Sequence, residues 1–226
     1  MTSSRLVFLV AALLLSPVAA FAQNLKSEFD IRSADGSPVA NHRVPAELAA
    51  KVEKLPGRVV VGNPDGDVTL AQFYDLNCPF CRKASADVEA LLKSDKKLRL
   101  VLVPFPVLGI PSIQAGRVEL AVAQLVSPQI FFDFHRKLYE GRGGITGERA
   151  LAVAQAMNID QEKIIALADR DSITETMKAH ARLGNALGFA ATPSYVVADV
   201  AIIGHPGEGS LRDVIGAVRR CGKVVC

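Results

Sequence analysis

Several things are scarce in this sequence, and each scarcity excludes something. After Ala22 no stretch is long and apolar enough to cross a bilayer, so a polytopic membrane protein is excluded. No block of Lys and Arg stands out. The 26 basic and 23 acidic residues nearly balance, at a formal charge of +3. The densest basic run, Lys93 to Arg99, reads as a solvated helix end, so nucleic acid is not an expected partner. His42, His135, His180 and His205 show no close pairing in the chain, and only one C-x2-C is present. A zinc site would therefore lack half its ligands, and no metal is expected. Internal repeats and low-complexity tracts are also lacking after the N-terminal segment.

What is present begins with that segment. Arg5 supplies a short positive front, Leu6 to Leu15 is unbroken apolar sequence, and Ala20-Phe21-Ala22 fits a small-x-small cleavage rule. This pattern predicts a secretory signal peptide over residues 1–22, cut before Gln23. The apolar core is short for a membrane anchor. The residue after the cut is not Cys, so no lipid attachment is expected there. Export implies an oxidising compartment. Four cysteines come after it, Cys78, Cys81, Cys221 and Cys226, in two close pairs. Three pairings are formally open, and local pairing is the simplest.

Residues 23–55 read as an N-terminal extension. Phe29 and Ile31 alternate before an Asp35-Gly36 turn, which predicts a small hairpin. Pro45 then opens a helix on which Leu48, Val52 and Leu55 share a face. The extension either packs on its own domain or serves as a dimerisation segment, which would make the protein a homo-oligomer. Arg58 to Asp75 reads as two strands around a Pro64-Asp65-Gly66 turn. Pro79 to Leu92 carries helix formers, with Ala84, Val88 and Leu91 or Leu92 on one face. Leu98 to Phe105 is a continuous apolar run, typical of a strand buried on both faces. Strand, helix, strand makes a crossover unit with a parallel pair.

From Ser112 to Leu187 the period is helical, with a stripe at Val118, Ala121, Val122 and Leu125. Ser172-Ile173-Thr174-Glu175 matches a capping box, and Met157 and Met177 read as helix core. Strands return at Pro193 to Gly204, in a hairpin turning near Ala198-Asp199. His205-Pro206-Gly207 reads as a turn, and Ser210 as the cap of a last helix.

The chemistry concentrates at Cys78-Pro79-Phe80-Cys81. A cysteine at a helix start faces unsatisfied backbone N–H groups and the positive end of the dipole, which lower a thiol pKa. This placement exposes Cys78 and turns Cys81 inward. The first sulfur can attack a substrate disulfide, and the second, one turn on, can resolve the mixed disulfide. A structural staple is the alternative in an exported protein. Cys221 and Cys226 come after the last helix with nothing before them to lower a pKa. They read as a structural disulfide that closes a short loop.

"FYDLNCPFCRKA" (Phe73 to Ala84), with "ATPSYVV" far downstream, resembles the DsbA-like branch of the thioredoxin superfamily. It is similar to its periplasmic members with a D-x-N-C-x-x-C signature, of the ScsC type. The resemblance runs from Val59 to about Arg220. It implies an α/β, thioredoxin-like fold with a helical insertion. Residues 56–107 plus 188–226 would form the thioredoxin-like domain, and 108–187 the insertion.

The activity implied is that of a periplasmic thiol-disulfide oxidoreductase needing no bound organic cofactor. Its partners would be unfolded or misoxidised secreted proteins and a membrane redox protein. Pro193 would be the cis-proline beside the redox pair, and Thr192 would pair its backbone with substrate. Ala191 replaces the usual glycine before them. Gln72 stands where the family often has a buried acid. Asp75 is then either a proton acceptor or a surface or capping carboxylate. Phe80 stands where strong oxidants carry His, which implies a less oxidising pair, and Thr192 resembles the isomerase and reductase branches. Two other classes remain: a non-catalytic binding or chaperone module, and a Cu(I)-handling protein using Cys78 and Cys81 as soft ligands.

Overall fold

The computed structural model describes residues 27–226, so the signal-peptide segment, residues 1–22, lies outside the described residues. A six-stranded mixed sheet carries the architecture. Its strands are β1 (Asn41–Arg43), β2 (Val59–Gly62), β3 (Val68–Tyr74), β4 (Leu98–Pro104), β5 (Ser194–Val197) and β6 (Val200–Ile203), in the spatial order β1-β6-β5-β3-β4-β2. The central pair β3 and β4 is parallel, in register from Val68↔Leu98 to Tyr74↔Pro104, and is joined by helix α2 (Pro79–Ser94). The apolar runs in both strands are explained by this central position, because both faces of the sheet are covered.

The Pro64-Asp65-Gly66 turn does reverse the chain, yet β2 and β3 do not pair. Instead β4 lies between them, antiparallel to β2. Asn63 and Asp67 donate their N–H groups to the carbonyls of Leu98 and Lys97, so the turn straddles the start of β4. A Cβ on Gly66 would lie 2.4 Å from the Lys97 carbonyl oxygen, which is why this turn requires glycine.

Alternation along β3 sorts the core into two layers. Val68, Leu70 and Tyr74 join the layer that holds Cys81, Val88 and Leu91 of α2 and Leu211, Val214 and Ile215 of α8 (Glu208–Cys221). Ala71 and Phe73 join the opposite layer, with Val52 and Leu55 of the extension and Leu183 and Leu187. Phe73 meets the Phe105 and Phe189 rings edge-on at 6.1 and 5.0 Å.

Residues 27–55 lie along the sheet. Two isolated bridges and the Asp35-Gly36 turn stand in place of a full hairpin. The Pro45 helix is one short turn, α1 (Ala46–Ala49), continued as a 3-10 turn over Ala50–Lys54. His180 ties this segment down, its ring bridging the Pro56 and Pro104 carbonyls at 2.7 and 2.8 Å.

Five helices connect β4 to β5: α3 (Ile110–Ala123), α4 (Pro128–Tyr139), α5 (Gly147–Ala156), α6 (Gln161–Ala168) and α7 (Asp171–Ala186). Two cap assignments differ from the sequence reading. Helix α7 starts at Asp171 after Arg170 with no side-chain cap, so Ser172 lies inside the helix and forms no capping box. Helix α8 starts after Gly207, whose φ of +96° lets the chain turn in earlier. Ser210 therefore lies in the first turn, and its hydroxyl donates to the Arg32 carbonyl.

Candidate active site around Cys78 and Cys81

Strand β3 delivers the chain to Cys78-Pro79-Phe80-Cys81, and three polar residues fasten this motif to its surroundings. Asp75 is almost fully buried, and its carboxylate accepts four hydrogen bonds. Oδ1 takes the Asn77 N–H and the Ser112 hydroxyl, each at 2.7 Å, and Oδ2 takes the Val107 and Leu108 N–H groups at 2.7 and 2.9 Å. Those donors come from the loop after β3, the loop after β4 and the start of α3. Asp75 thus joins three segments at one point, and among the described residues no hydrogen bond links its carboxylate to either thiol.

Asn77 makes a second clamp. Its Oδ1 accepts from the Ile145 N–H at 2.7 Å, and its Nδ2 donates to the Ile145 carbonyl at 2.9 Å and to the Ser112 hydroxyl at 3.1 Å. The segment before α5 is thereby bound to the residue preceding Cys78. Arg82 adds a third tie, donating to the Tyr139 and Gly141 carbonyls at the end of α4.

Cys78 is the N-cap residue of α2, with extended backbone, and Pro79 opens the helix where its missing N–H costs nothing. The Cys78 sulfur lies 3.0 Å from the carbonyl oxygen of Thr192. The Thr192-Pro193 bond is cis, and Pro193 leads directly into β5, which pairs antiparallel with β3. Residues far apart in the chain thus meet at one sulfur. Cys78 is more enclosed than a helix start alone suggests, at 5% exposure, because the Thr192-Pro193 loop covers it, and Cys81 is fully buried.

The two thiols are pushed in opposite directions. Cys78 is lowered from an ordinary value near 9 to about 6. The Cys81 thiol donating to its sulfur is the largest cause, aided by the Thr192 hydroxyl and the Cys81 and Phe80 N–H groups, against the opposing effect of burial. Burial pushes Cys81 far above its ordinary value, and the thiolate on Cys78 pushes it further. The arrangement can therefore present one nucleophilic thiolate at neutral pH and keep one protonated thiol in reserve.

Gln72 is buried on β3 opposite Tyr195. Phe80 stands 65% exposed and offers the thiolate only its backbone N–H. Cys221 and Cys226 are joined by a disulfide at the end of α8, apart from this site. The sequence reading did not pick out Glu119, buried in α3 with Oε1 2.8 Å from His135 Nδ1 of α4. One signal was available: Glu119 interrupts the apolar run Val118 to Val122 of a helix buried nearly all round.

A family model described as "Thioredoxin" matches residues 54–217. A thioredoxin-like oxidoreductase of Silicibacter pomeroyi DSS-3 is 34% identical, with a TM-score of 0.68 over 74% of this chain and 94% of that one. Disulfide bond formation protein D of Bacillus subtilis (strain 168) is 24% identical over 71% of this chain and 77% of its own. The catalytic domain of Proteus mirabilis ScsC shares the fold, with a TM-score of 0.66 at 19% identity over 76% of this chain and 96% of that domain. The chain belongs to the thioredoxin family, as a thiol-disulfide oxidoreductase of the DsbA-like kind. Among the described residues no helix is long and apolar enough to cross a membrane.

Proposed function

We propose that this oxidoreductase works after export, in the periplasm, on disulfides of unfolded or misoxidised secreted proteins. Cys78 is the nucleophile, Cys81 resolves the mixed disulfide, and Thr192 and Pro193 offer backbone to the bound polypeptide. The observation that carries this reading is the opposite shift of the two thiols beside the Thr192 carbonyl. The rim supports an unfolded polypeptide as substrate. Phe80 projects from the motif, and Val107, Leu108, Ile110 and Ile113 stand exposed on the segment hung from Asp75. Residues 56–107 plus 188–226 act as the redox domain, 108–187 as the insertion that backs it, and Cys221–Cys226 as a clasp. A membrane redox protein resets the pair.

The working direction is reduction or isomerisation. Phe80 brings no side-chain donor to the thiolate, so less energy favours the reduced pair than in strong oxidants. Incubation of Cys81→Ser with a disulfide-containing unfolded polypeptide should trap an adduct on Cys78, and Cys78→Ser should trap none. Absence of the adduct would overturn the function. Equilibration with glutathione should give a potential well below the roughly −120 mV of a strong oxidant. A value at or above that level would reassign the protein as an oxidase. Export predicts a periplasmic chain beginning at Gln23, and an uncut cytoplasmic chain would contradict it.

A further inference from the structure

The two halves of the site stand on elements that no backbone pairing joins. Cys78 and Cys81 belong to α2 and its cap, and Thr192-Pro193 leads into β5. Apart from the contacts of Thr192 with the two thiols, no hydrogen bond among the described residues runs directly between α2 and β5. The contact of the Cys78 sulfur with the Thr192 carbonyl needs a thiol hydrogen. Neither the thiolate nor a mixed disulfide at Cys78 has one to give. In the reacting states something else must hold the Thr192-Pro193 backbone in place. We propose that His205 does so, as a positioning residue that ties Tyr195 of β5 to Asp87 of α2. The inference rests on the reading of Thr192 and Pro193 as the segment that offers backbone to the substrate.

Tyr195 comes two residues after Pro193, so along an extended strand the two side chains share a face. That face looks onto the α2 layer, where Tyr195 is wholly buried in the same core as Cys81 and Val88. The Tyr195 hydroxyl lies 2.7 Å from His205 Nδ1, and His205 Nε2 lies 2.7 Å from Asp87 Oδ2. His205 itself sits in the turn between β6 and α8, flanked by Gly204 at φ +88° and Gly207 at φ +96°. Turn residues are ordinarily on the surface. Here the imidazole is folded inward to 3% exposure, while the Asp87 carboxylate keeps 26%. Both ring nitrogens are engaged, each with a different element.

The two partners fix the state of the ring. An ionised carboxylate only accepts, so Nε2 carries the hydrogen and the Tyr195 hydroxyl donates to Nδ1 of the neutral imidazole. Burial, the largest cause, lowers the His205 pKa; Asp87 opposes it and Lys83 of α2 adds to it. The bridge is therefore complete at neutral pH. Its bonds are directional, so they fix the lateral position of β5 on α2 where apolar contact alone would let it slide.

In the step that the bridge serves, the Cys78 thiolate attacks one sulfur of a substrate disulfide. The bond from Cys78 to that sulfur forms, the substrate S–S bond breaks, and the second substrate sulfur leaves as a thiolate with the electron pair. No atom of Tyr195, His205 or Asp87 takes part, so the bridge stays closed while the contacts at the sulfur change.

The test compares reduced wild type, Tyr195→Phe, Asp87→Ala and Asp87→Asn at pH 8, above the Cys78 midpoint of about 6, so that the thiolate is present throughout. Each is given a short cystine-linked peptide and, separately, hydroxyethyl disulfide, which has no peptide backbone to be held. Thiol release is followed by stopped flow. Tyr195→Phe and Asp87→Ala break the bridge at opposite ends, so either one decides the matter if the other folds poorly. Both should reduce the peptide about tenfold more slowly, as expected for a small misplacement of a binding segment. Both should reduce hydroxyethyl disulfide at the wild-type rate. Asp87→Asn keeps an oxygen to accept from His205 and should keep the wild-type peptide rate. Wild-type peptide rates in both Tyr195→Phe and Asp87→Ala would overturn the proposal. So would an equal loss on the two disulfides, or an Asp87→Asn as slow as Asp87→Ala, which would make the charge and not the bond responsible. The wild type should also reduce the peptide faster than a copy with N-methylated backbone. Equal rates there would instead overturn the reading of Thr192 and Pro193 on which the proposal rests.

Discussion

Cys78 and Cys81 are one residue type three positions apart, yet one thiol is lowered from its ordinary value and the other raised above it. The difference comes from burial and from who donates to whom. Because the folded value of Cys78 is depressed, its thiolate stabilises the reduced fold above the unfolded value near 9, and this stabilisation is lost as pH falls through about 6. At pH 7 the gain is about 1.4 kcal/mol, and at pH 5 it is close to zero. Urea unfolding of the reduced protein, compared with Cys78→Ser, should show this excess growing between pH 5 and 8. A difference independent of pH would mean that Cys78 titrates normally. Phe80→His should add a donor to the thiolate and raise the potential by about 30 mV, or roughly 1.4 kcal/mol for two electrons. Unchanged glutathione equilibria would show that the residue after Pro79 does not tune this pair.

At the scale of elements, the unit around the motif was legible because its signals are local. The apolar runs Val68 to Tyr74 and Leu98 to Phe105, with a helix pattern between, admit one arrangement. The hairpin turning at Ala198-Asp199 was equally plain, with Ala198 at φ +51° between β5 and β6. Strand β1 was not legible. Asn41-His42-Arg43 carries no apolar residue, and it is a strand because β6 offers an edge and the Asn41 amide binds the Phe29 and Val39 backbone. Nor was the anchoring role of Asp75, since its donors Val107, Leu108 and Ser112 lie 32 to 37 positions away.

Asn77 behaves similarly, and its clamp can be removed alone. Asn77→Ala should cost about 2 kcal/mol through lost hydrogen bonds, measured by urea unfolding. A cost under a few tenths would show that the segment before α5 is held by other means. Helix α7 depends on a glycine in the same way, because a Cβ at Gly184 would lie 2.7 and 2.9 Å from atoms of the Phe105 ring. Gly184→Ala should therefore destabilise by about 1–3 kcal/mol despite its better helix propensity.

At the scale of the whole molecule, the site around Cys78 and Cys81 is a meeting point. Cys78-Pro79-Phe80-Cys81 comes from the first half of the chain, and Thr192 and Pro193 from beyond five helices. The clasp at Cys221–Cys226 lies apart from all of these. Replacing both its cysteines by Ser should lower stability by about 2 kcal/mol, as expected for so short a loop, and leave exchange activity intact. Lost activity at unchanged stability would make the pair an electron relay. The central claim is that Cys78 alone is the thiolate at neutral pH. It is tested most directly by alkylating the reduced protein with one equivalent of iodoacetamide across pH 4 to 9 and locating the label by peptide mass spectrometry. The account predicts a label on Cys78 whose rate rises with a midpoint of about 6. A label on Cys81, or a Cys78 rate that rises only above pH 8, would contradict it.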